Sequence, residues 1–160
     1  MLTDFAAALQ DTGVAAALRQ SFWVYPIVNA GHIVGLALLF GAIVPLDLRL
    51  LGFWEKVSLA AMNRILLPVA IAGLAVAVPT GLLLFSVRAS EYAATPLFWI
   101  KFSLIGAAIA NALLLRLSLA WTVHEHSELA GTMPRLQFAG ALSIGLWLAV
   151  IVAGRMIGYL

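Results

Sequence analysis

A single histidine lies in the middle of the first long apolar run of this chain. The segment from Gln20 to Leu46 contains no aspartate, glutamate, lysine or arginine, and its one residue that titrates near neutral pH is His32. An ionisable group at that depth is costly in a bilayer, so it normally pairs with another group, binds a ligand or moves protons. His32 is therefore the first candidate functional residue.

Polar residues elsewhere in the apolar runs define a predicted binding site around this histidine. Tyr25, Asn29 and His32 follow i, i+4, i+7 spacing, which places them on one helix face. We expect that face to point into the protein, because lipid would leave its polar groups without partners. The full set of predicted cofactor-binding residues is His32, Tyr25, Asn29, Lys101, Asn111, Trp147 and Arg155.

These residue types suit two redox-linked ligands, haem b and a quinone. In a haem site His32 would bind the iron, and Lys101 and Arg155 would meet the propionates. A quinone head group would suit the same mixture of imidazole, phenol and cations. Ligation by two histidines needs a second histidine at similar depth, and His124 and His126 lie past the end of the third predicted span.

Three other interpretations remain open. In the first, His32 has only a structural role: it would donate a hydrogen bond to Asn111 or to a backbone carbonyl, while the cations would extend towards lipid head groups. Alternatively, His32, Asn111, Arg116 and Asp47 form a polar path for a small ion or solute, such as a metal ion or a proton. A non-catalytic structural subunit would instead bind a membrane-complex partner, or a second copy of the chain, through small residues such as Gly31 and Gly35.

A second candidate metal site is the segment His124-Glu125-His126-Ser127-Glu128. Imidazoles and carboxylates bind Zn²⁺ or Cu²⁺, but residues two apart point in different directions on a helix. A compact chelate at His124 and His126 would need an extended backbone, so a solvated connector is the preferred interpretation. On the same side of the membrane, Asp47 is predicted to pair with Arg64 or Arg116.

Composition places the chain among membrane proteins. Of 160 residues, 64% are hydrophobic and 10% are charged, whereas soluble domains carry about 25% charged residues. A net charge of +2 does not indicate a nucleic-acid partner, and the absence of cysteine excludes thiolate chemistry and disulfides. The sequence contains no hydrolase triad and no phosphate-binding loop, so the protein is not expected to be an acid–base catalyst.

Apolar segments long enough to cross a bilayer of about 30 Å predict four spans in a single domain that covers residues 1–160. The predicted spans are Trp23 to Val44, Ile65 to Val87, Pro96 to Trp121, and Leu136 to Tyr159. The segment from Thr3 to Gln20 is predicted to be a short amphipathic helix in the membrane interface, broken near Gly13. The expected fold is an all-α integral membrane four-helix bundle whose main partner is the lipid bilayer.

An even number of spans places both termini on one side of the membrane, called side A here; the other is side B. Basic residues concentrate on side B, namely Arg49, Lys56, Arg64 and Arg135. Because basic flanks favour the cytoplasm, both termini are expected in the periplasm of a bacterial inner membrane.

Several fragments resemble a family of small, uncharacterised bacterial four-span inner-membrane proteins. They are Tyr25-Pro26 with His32, Asp47-Leu48-Arg49-Leu50-Leu51-Gly52, Phe98 with Lys101, Asn111-Ala112, and Ser143, Trp147, Gly154-Arg155 and Tyr159. This resemblance implies the fold and the location and no particular activity. A vaguer similarity to copper-resistance and cytochrome-b-like membrane proteins depends on the helix number and the membrane histidine alone.

Overall fold

A computed structural model describes residues 2–118, 121 and 133–159. Regular structure in this part of the chain is helical, without strands. The helices are α1 (Leu2–Gln10), α2 (Gly13–Gln20), α3 (Val24–Leu50), α4 (Leu59–Val87), α5 (Ala89–Ala94), α6 (Pro96–Arg116) and α7 (Pro134–Ile157).

Four of these helices, α3, α4, α6 and α7, are long and apolar enough to cross a membrane. The protein is therefore a multi-pass, all-α membrane protein, as the sequence predicts. The ends of the first three spans differ from the prediction by five or more residues, because α3 continues through Pro45 to Leu50, α4 begins at Leu59, and α6 ends at Arg116 rather than at Trp121. Leu46 and Leu50 are buried in the side B core, and this packing offsets the backbone hydrogen bond that Pro45 cannot donate.

The N-terminal segment forms two helices, α1 and α2, that are tied to the side A end of α4. Arg19 donates hydrogen bonds to the carbonyls of Val87 (3.2 Å) and Gln10 (2.9 Å). The side chain of Gln10 accepts hydrogen bonds from the backbone and the hydroxyl of Ser90 at 3.1 and 2.8 Å. Gly13 is the first residue of α2, so the break falls just before it, close to the predicted position.

Helix α3 is central, because it packs against both α4 and α7, and α6 in turn packs against α7. The backbones of α4 and α6 stay further apart, and these two helices meet through side chains. At side A the rings of Phe85 and Phe98 stack with centroids 4.7 Å apart. At side B Arg116 donates a hydrogen bond of 3.0 Å to the side chain of Asn63.

The backbones of α3 and α4 touch at a pair of glycines. A Cβ atom added to Gly35 would lie 2.7 Å from the nitrogen of Ala77, and one added to Gly73 would lie 2.5 Å from the nitrogen of Leu39. Small residues permit such an approach between membrane helices. Gly35 is therefore used for packing inside the chain rather than for contact with a partner.

Two groups of buried side chains fill the bundle. The central group contains Leu39, Ala42, Ala70, Ala108, Trp147 and Val150. The side B group contains Leu46, Leu50, Leu59, Trp121 and Leu136. Beside the second group, Arg49 is buried and donates from Nε to the carbonyl of Val57 (2.8 Å) and from Nη2 to that of Glu55 (3.1 Å). Arg49 thereby holds the loop that joins α3 to α4.

Candidate functional site

His32 is half-buried on α3 and faces α4 next to Pro79, which lies inside that helix. Its Nδ1 atom lies 2.9 Å from the carbonyl oxygen of Ala77 and 3.2 Å from the hydroxyl of Thr80. A carbonyl oxygen only accepts hydrogen bonds, so Nδ1 carries the proton and donates it. In the neutral ring Nε2 then has a free lone pair, which can accept a hydrogen bond or bind a metal.

Gly81 provides the space for the imidazole ring. A Cβ atom at this position would lie 3.0 Å from Cε1 of His32, which is tighter than most real Cβ contacts, so the ring would have to shift. Thr80 and Gly81 were not among the predicted site residues. The signal that could have found them is the Pro79-Thr80-Gly81 sequence, because a hydroxyl next to a glycine within a span offers a polar partner and space for a side chain of a neighbouring helix.

Lys101 reaches the same half of the bundle from α6. It lies across Gly154 of α7, where an added Cβ atom would be 3.2 Å from Nζ. Among residues 2–118, 121 and 133–159, no carboxylate forms an ion pair with this ammonium group. The positive charge of Lys101 acts on the His32 imidazole electrostatically, without a hydrogen bond between the two side chains in the described structure. We call His32, Thr80, Gly81, Lys101 and Gly154 the His32–Lys101 site.

The second predicted cation, Arg155, is turned away from this site. It is exposed, donates a hydrogen bond of 2.6 Å to the hydroxyl of Tyr159, and lies 4.6 Å from the centre of that ring. The adjacent Gly154 faces Lys101, and consecutive residues on a helix point about 100° apart. Of the two predicted cations, Lys101 is therefore the one that lies within the bundle and acts electrostatically on the histidine.

Tyr25 and Asn29 are exposed on the side A half of α3, although the sequence predicted that their face points inward. Tyr25 lies close to Tyr92 of the short helix α5, rather than beside the imidazole. Burial raises the pKa of the Tyr92 phenol, and the neighbouring Tyr25 adds to this rise. Of the three polar residues predicted to share one face of α3, His32 is the one that points into the bundle.

Asn111 and Trp147 are used for helix packing. Asn111 donates a hydrogen bond of 3.0 Å to the carbonyl of Ala139, which joins α6 to α7 in the side B half. The helix bounds and a rise of 1.5 Å per residue place Asn111 about 15 Å from His32 along the membrane normal. Trp147 is buried in the central group of side chains.

His124 and His126 lie outside the described residues, so their metal site stays a prediction. Within the described part of the chain, no group of three or more histidine, aspartate or glutamate side chains could hold a metal ion.

Asp47 is a second buried ionisable residue, on the side B half of α3. Its exposed fraction is 6%, and its Oδ2 atom has no hydrogen-bond partner among the residues that the structure describes. The predicted ion pair with Arg64 or Arg116 is not formed, because the described part of the chain shows no cation paired with the Asp47 carboxyl. The close contact of α3 with α7 directs Asp47 to the Ser143 hydroxyl instead.

Replacing the Asp47 carboxyl with an amide is expected to stabilise the protein. Burying a carboxyl group with an unpartnered oxygen costs free energy, whereas the amide of Asp47→Asn carries no charge and can donate a hydrogen bond to Ser143. The expected gain in the free energy of unfolding is about 1–2 kcal/mol, measured as a higher Tm in detergent. The exposed Asp11 supplies the control Asp11→Asn, which should leave Tm unchanged. A lower Tm in Asp47→Asn alone would contradict this interpretation.

Comparisons of the chain with protein-family models, with curated proteins and with solved structures find no match.

Proposed function

We propose that the protein binds the head group of a quinol in the His32–Lys101 site. The observation that carries this proposal is the hydrogen bond from Nδ1 of His32 to the carbonyl of Ala77, which leaves Nε2 as an acceptor. An ammonium group, Lys101, lies nearby without a carboxylate partner in the described structure. A quinol presents a hydroxyl donor for the imidazole and an oxygen acceptor for the ammonium group.

The arrangement of the helices supports entry of such a ligand from the bilayer. His32 faces α4 and Lys101 is carried by α6, and these are the two helices whose backbones stay apart. The two helices meet through side chains at both ends: Phe85 contacts Phe98 at side A, and Arg116 bonds to Asn63 at side B. Side chains change rotamer far more readily than packed backbones separate. A lipid-soluble molecule would therefore enter most easily between α4 and α6.

Haem b is a second candidate, because the free Nε2 atom of His32 is also suited to an axial iron ligand. A histidine that donates its other ring N–H to a carbonyl is typical of metal ligands. A haem, however, brings two propionates, and Arg155 is turned towards Tyr159 rather than towards Lys101. One cation beside one imidazole matches a small neutral ring better than a dicarboxylate.

The transport interpretation receives less support from the packing. Its predicted path needs Asn111 and Arg116 to face a polar interior, but they bond to Ala139 and Asn63. Between them and His32 lies the central apolar group, which includes Leu39 and Trp147. A polar route through both leaflets would have to cross this group.

Quinol binding is tested with the full chain in lipid nanodiscs and decylubiquinol as the probe, measured by equilibrium binding. His32→Ala is expected to weaken binding about ten-fold, which corresponds to about 1.4 kcal/mol for one hydrogen bond. Lys101→Met should weaken binding by a similar factor. Since Nε2 accepts rather than donates, decylubiquinol should bind more tightly than decylubiquinone.

A pair of glycines on α7 supplies the matched control. Gly154→Ala places a methyl group against Lys101 and should weaken quinol binding, whereas Gly145→Ala meets no atom within 4 Å and should not. Equal affinity of the wild type and His32→Ala would overturn the proposal. A Soret absorption band that disappears in His32→Ala would assign the site to haem instead.

A further inference from the structure

A cavity at the side B ends of α6 and α7 lies apart from the His32–Lys101 site. Its volume is about 140 Å³, and it is lined by Asn111, Leu114, Leu115, Arg135, Phe138 and Ala139. This volume is several times the share of one water molecule in the liquid, about 30 Å³. We infer that the cavity binds the phosphate group of an anionic phospholipid from the surrounding bilayer.

The polar groups of the cavity suit a phosphate. Arg135 is exposed, and in residues 2–118, 121 and 133–159 no carboxylate pairs with its guanidinium group. Guanidinium groups bind phosphates through two parallel hydrogen bonds. Asn111 uses one amide N–H on the carbonyl of Ala139, so its second N–H remains as a further donor.

The apolar groups and the depth of the cavity point to a lipid rather than to a free anion. Leu114 and Phe138 border the cavity, and each is 69% exposed on the lipid-facing surface. Arg135 is the second residue of α7, and α6 ends at Arg116, so the cavity lies near the boundary of the hydrocarbon layer. Phosphate groups occupy this depth, and acyl chains then run along the exposed leucine and phenylalanine.

The inference is tested by mixing the detergent-purified chain with dioleoylphosphatidylglycerol and counting retained lipids by native mass spectrometry. Arg135→Gln is expected to weaken phosphatidylglycerol binding about ten-fold. Arg64→Gln is the matched control, because Arg64 is another exposed side B arginine, on α4 and outside the cavity. It should retain the lipid like the wild type.

Two further variants keep the test decisive if Arg135→Gln does not fold. Arg135→Lys keeps the charge without the paired donors and should weaken binding several-fold. Phe138→Ala should also weaken binding, because it removes the apolar contact with the acyl chains. Glycerol 3-phosphate, which has the head group without acyl chains, should not bind detectably. Equal losses in Arg135→Gln and Arg64→Gln, or phosphatidylglycerol retention unchanged in the cavity variants, would overturn the inference.

Discussion

Gly73→Ala is expected to destabilise the protein strongly, because the added methyl group would meet backbone atoms of α3. The new Cβ atom would lie 2.5 Å from the backbone nitrogen of Leu39 and 2.8 Å from the carbonyl oxygen of Gly35. Backbone atoms cannot move aside as a flexible side chain does, so α3 and α4 must separate. Overpacking of this kind costs about 3 kcal/mol, and the loss should appear as a large decrease in Tm and as aggregation on size-exclusion chromatography.

Gly41→Ala is the matched control on α3. A Cβ atom at this position meets nothing within 4 Å, and alanine is a better helix former than glycine by about 1 kcal/mol. We therefore expect an unchanged or slightly raised Tm. Gly35→Ala, on the other side of the same contact, should behave like Gly73→Ala. A normal Tm in both Gly35→Ala and Gly73→Ala would show that the two helices do not cross there.

Arg49→Met is also expected to cause a large loss of stability, about 3 kcal/mol or more, because each of the two hydrogen bonds from the charged guanidinium group contributes about 1.5–3 kcal/mol. Methionine keeps the apolar stem but cannot donate to the carbonyls of Val57 and Glu55. The loop depends on these bonds, since it holds Trp54 at a positive φ of 53°, which L residues rarely adopt. A lower Tm and faster tryptic cleavage after Lys56 should both be observed.

Arg49→Lys separates the charge of this residue from its geometry. Lysine can reach one carbonyl but cannot bond to both as the guanidinium group does, so both effects should be intermediate. Arg64→Met removes an exposed side B arginine and should change neither Tm nor cleavage after Lys56. Cleavage at the wild-type rate in Arg49→Met would show that the loop is held by other contacts.

The helices themselves were predictable because their signal is local. A bilayer requires about twenty apolar residues in each span, and α3, α4, α6 and α7 meet that requirement by composition alone. The errors were at helix ends. Pro45 predicts the end of the first span, yet burial of Leu46 and Leu50 continues α3 to Leu50.

The composition of the candidate site was harder to predict, because depth in the membrane is readable from sequence but rotation about a helix axis is not. Lys101 and Arg155 have similar predicted depths on side A. Only the packed bundle shows that Lys101 lies across Gly154 while Arg155 bonds to Tyr159. The same is true of Asp47, whose partner is Ser143 of α7 because α3 packs against that helix.

Apolar length and the scarcity of charge determined by themselves that this chain crosses a membrane as helices, and they marked His32 as an unusual residue. Tertiary structure decided which nitrogen of that imidazole is engaged, which cation lies near it, and which glycines carry the helix contact. The physical reason is that hydrophobic transfer acts on each segment separately. Hydrogen bonds and close packing, in contrast, act only between segments whose relative rotation has been set.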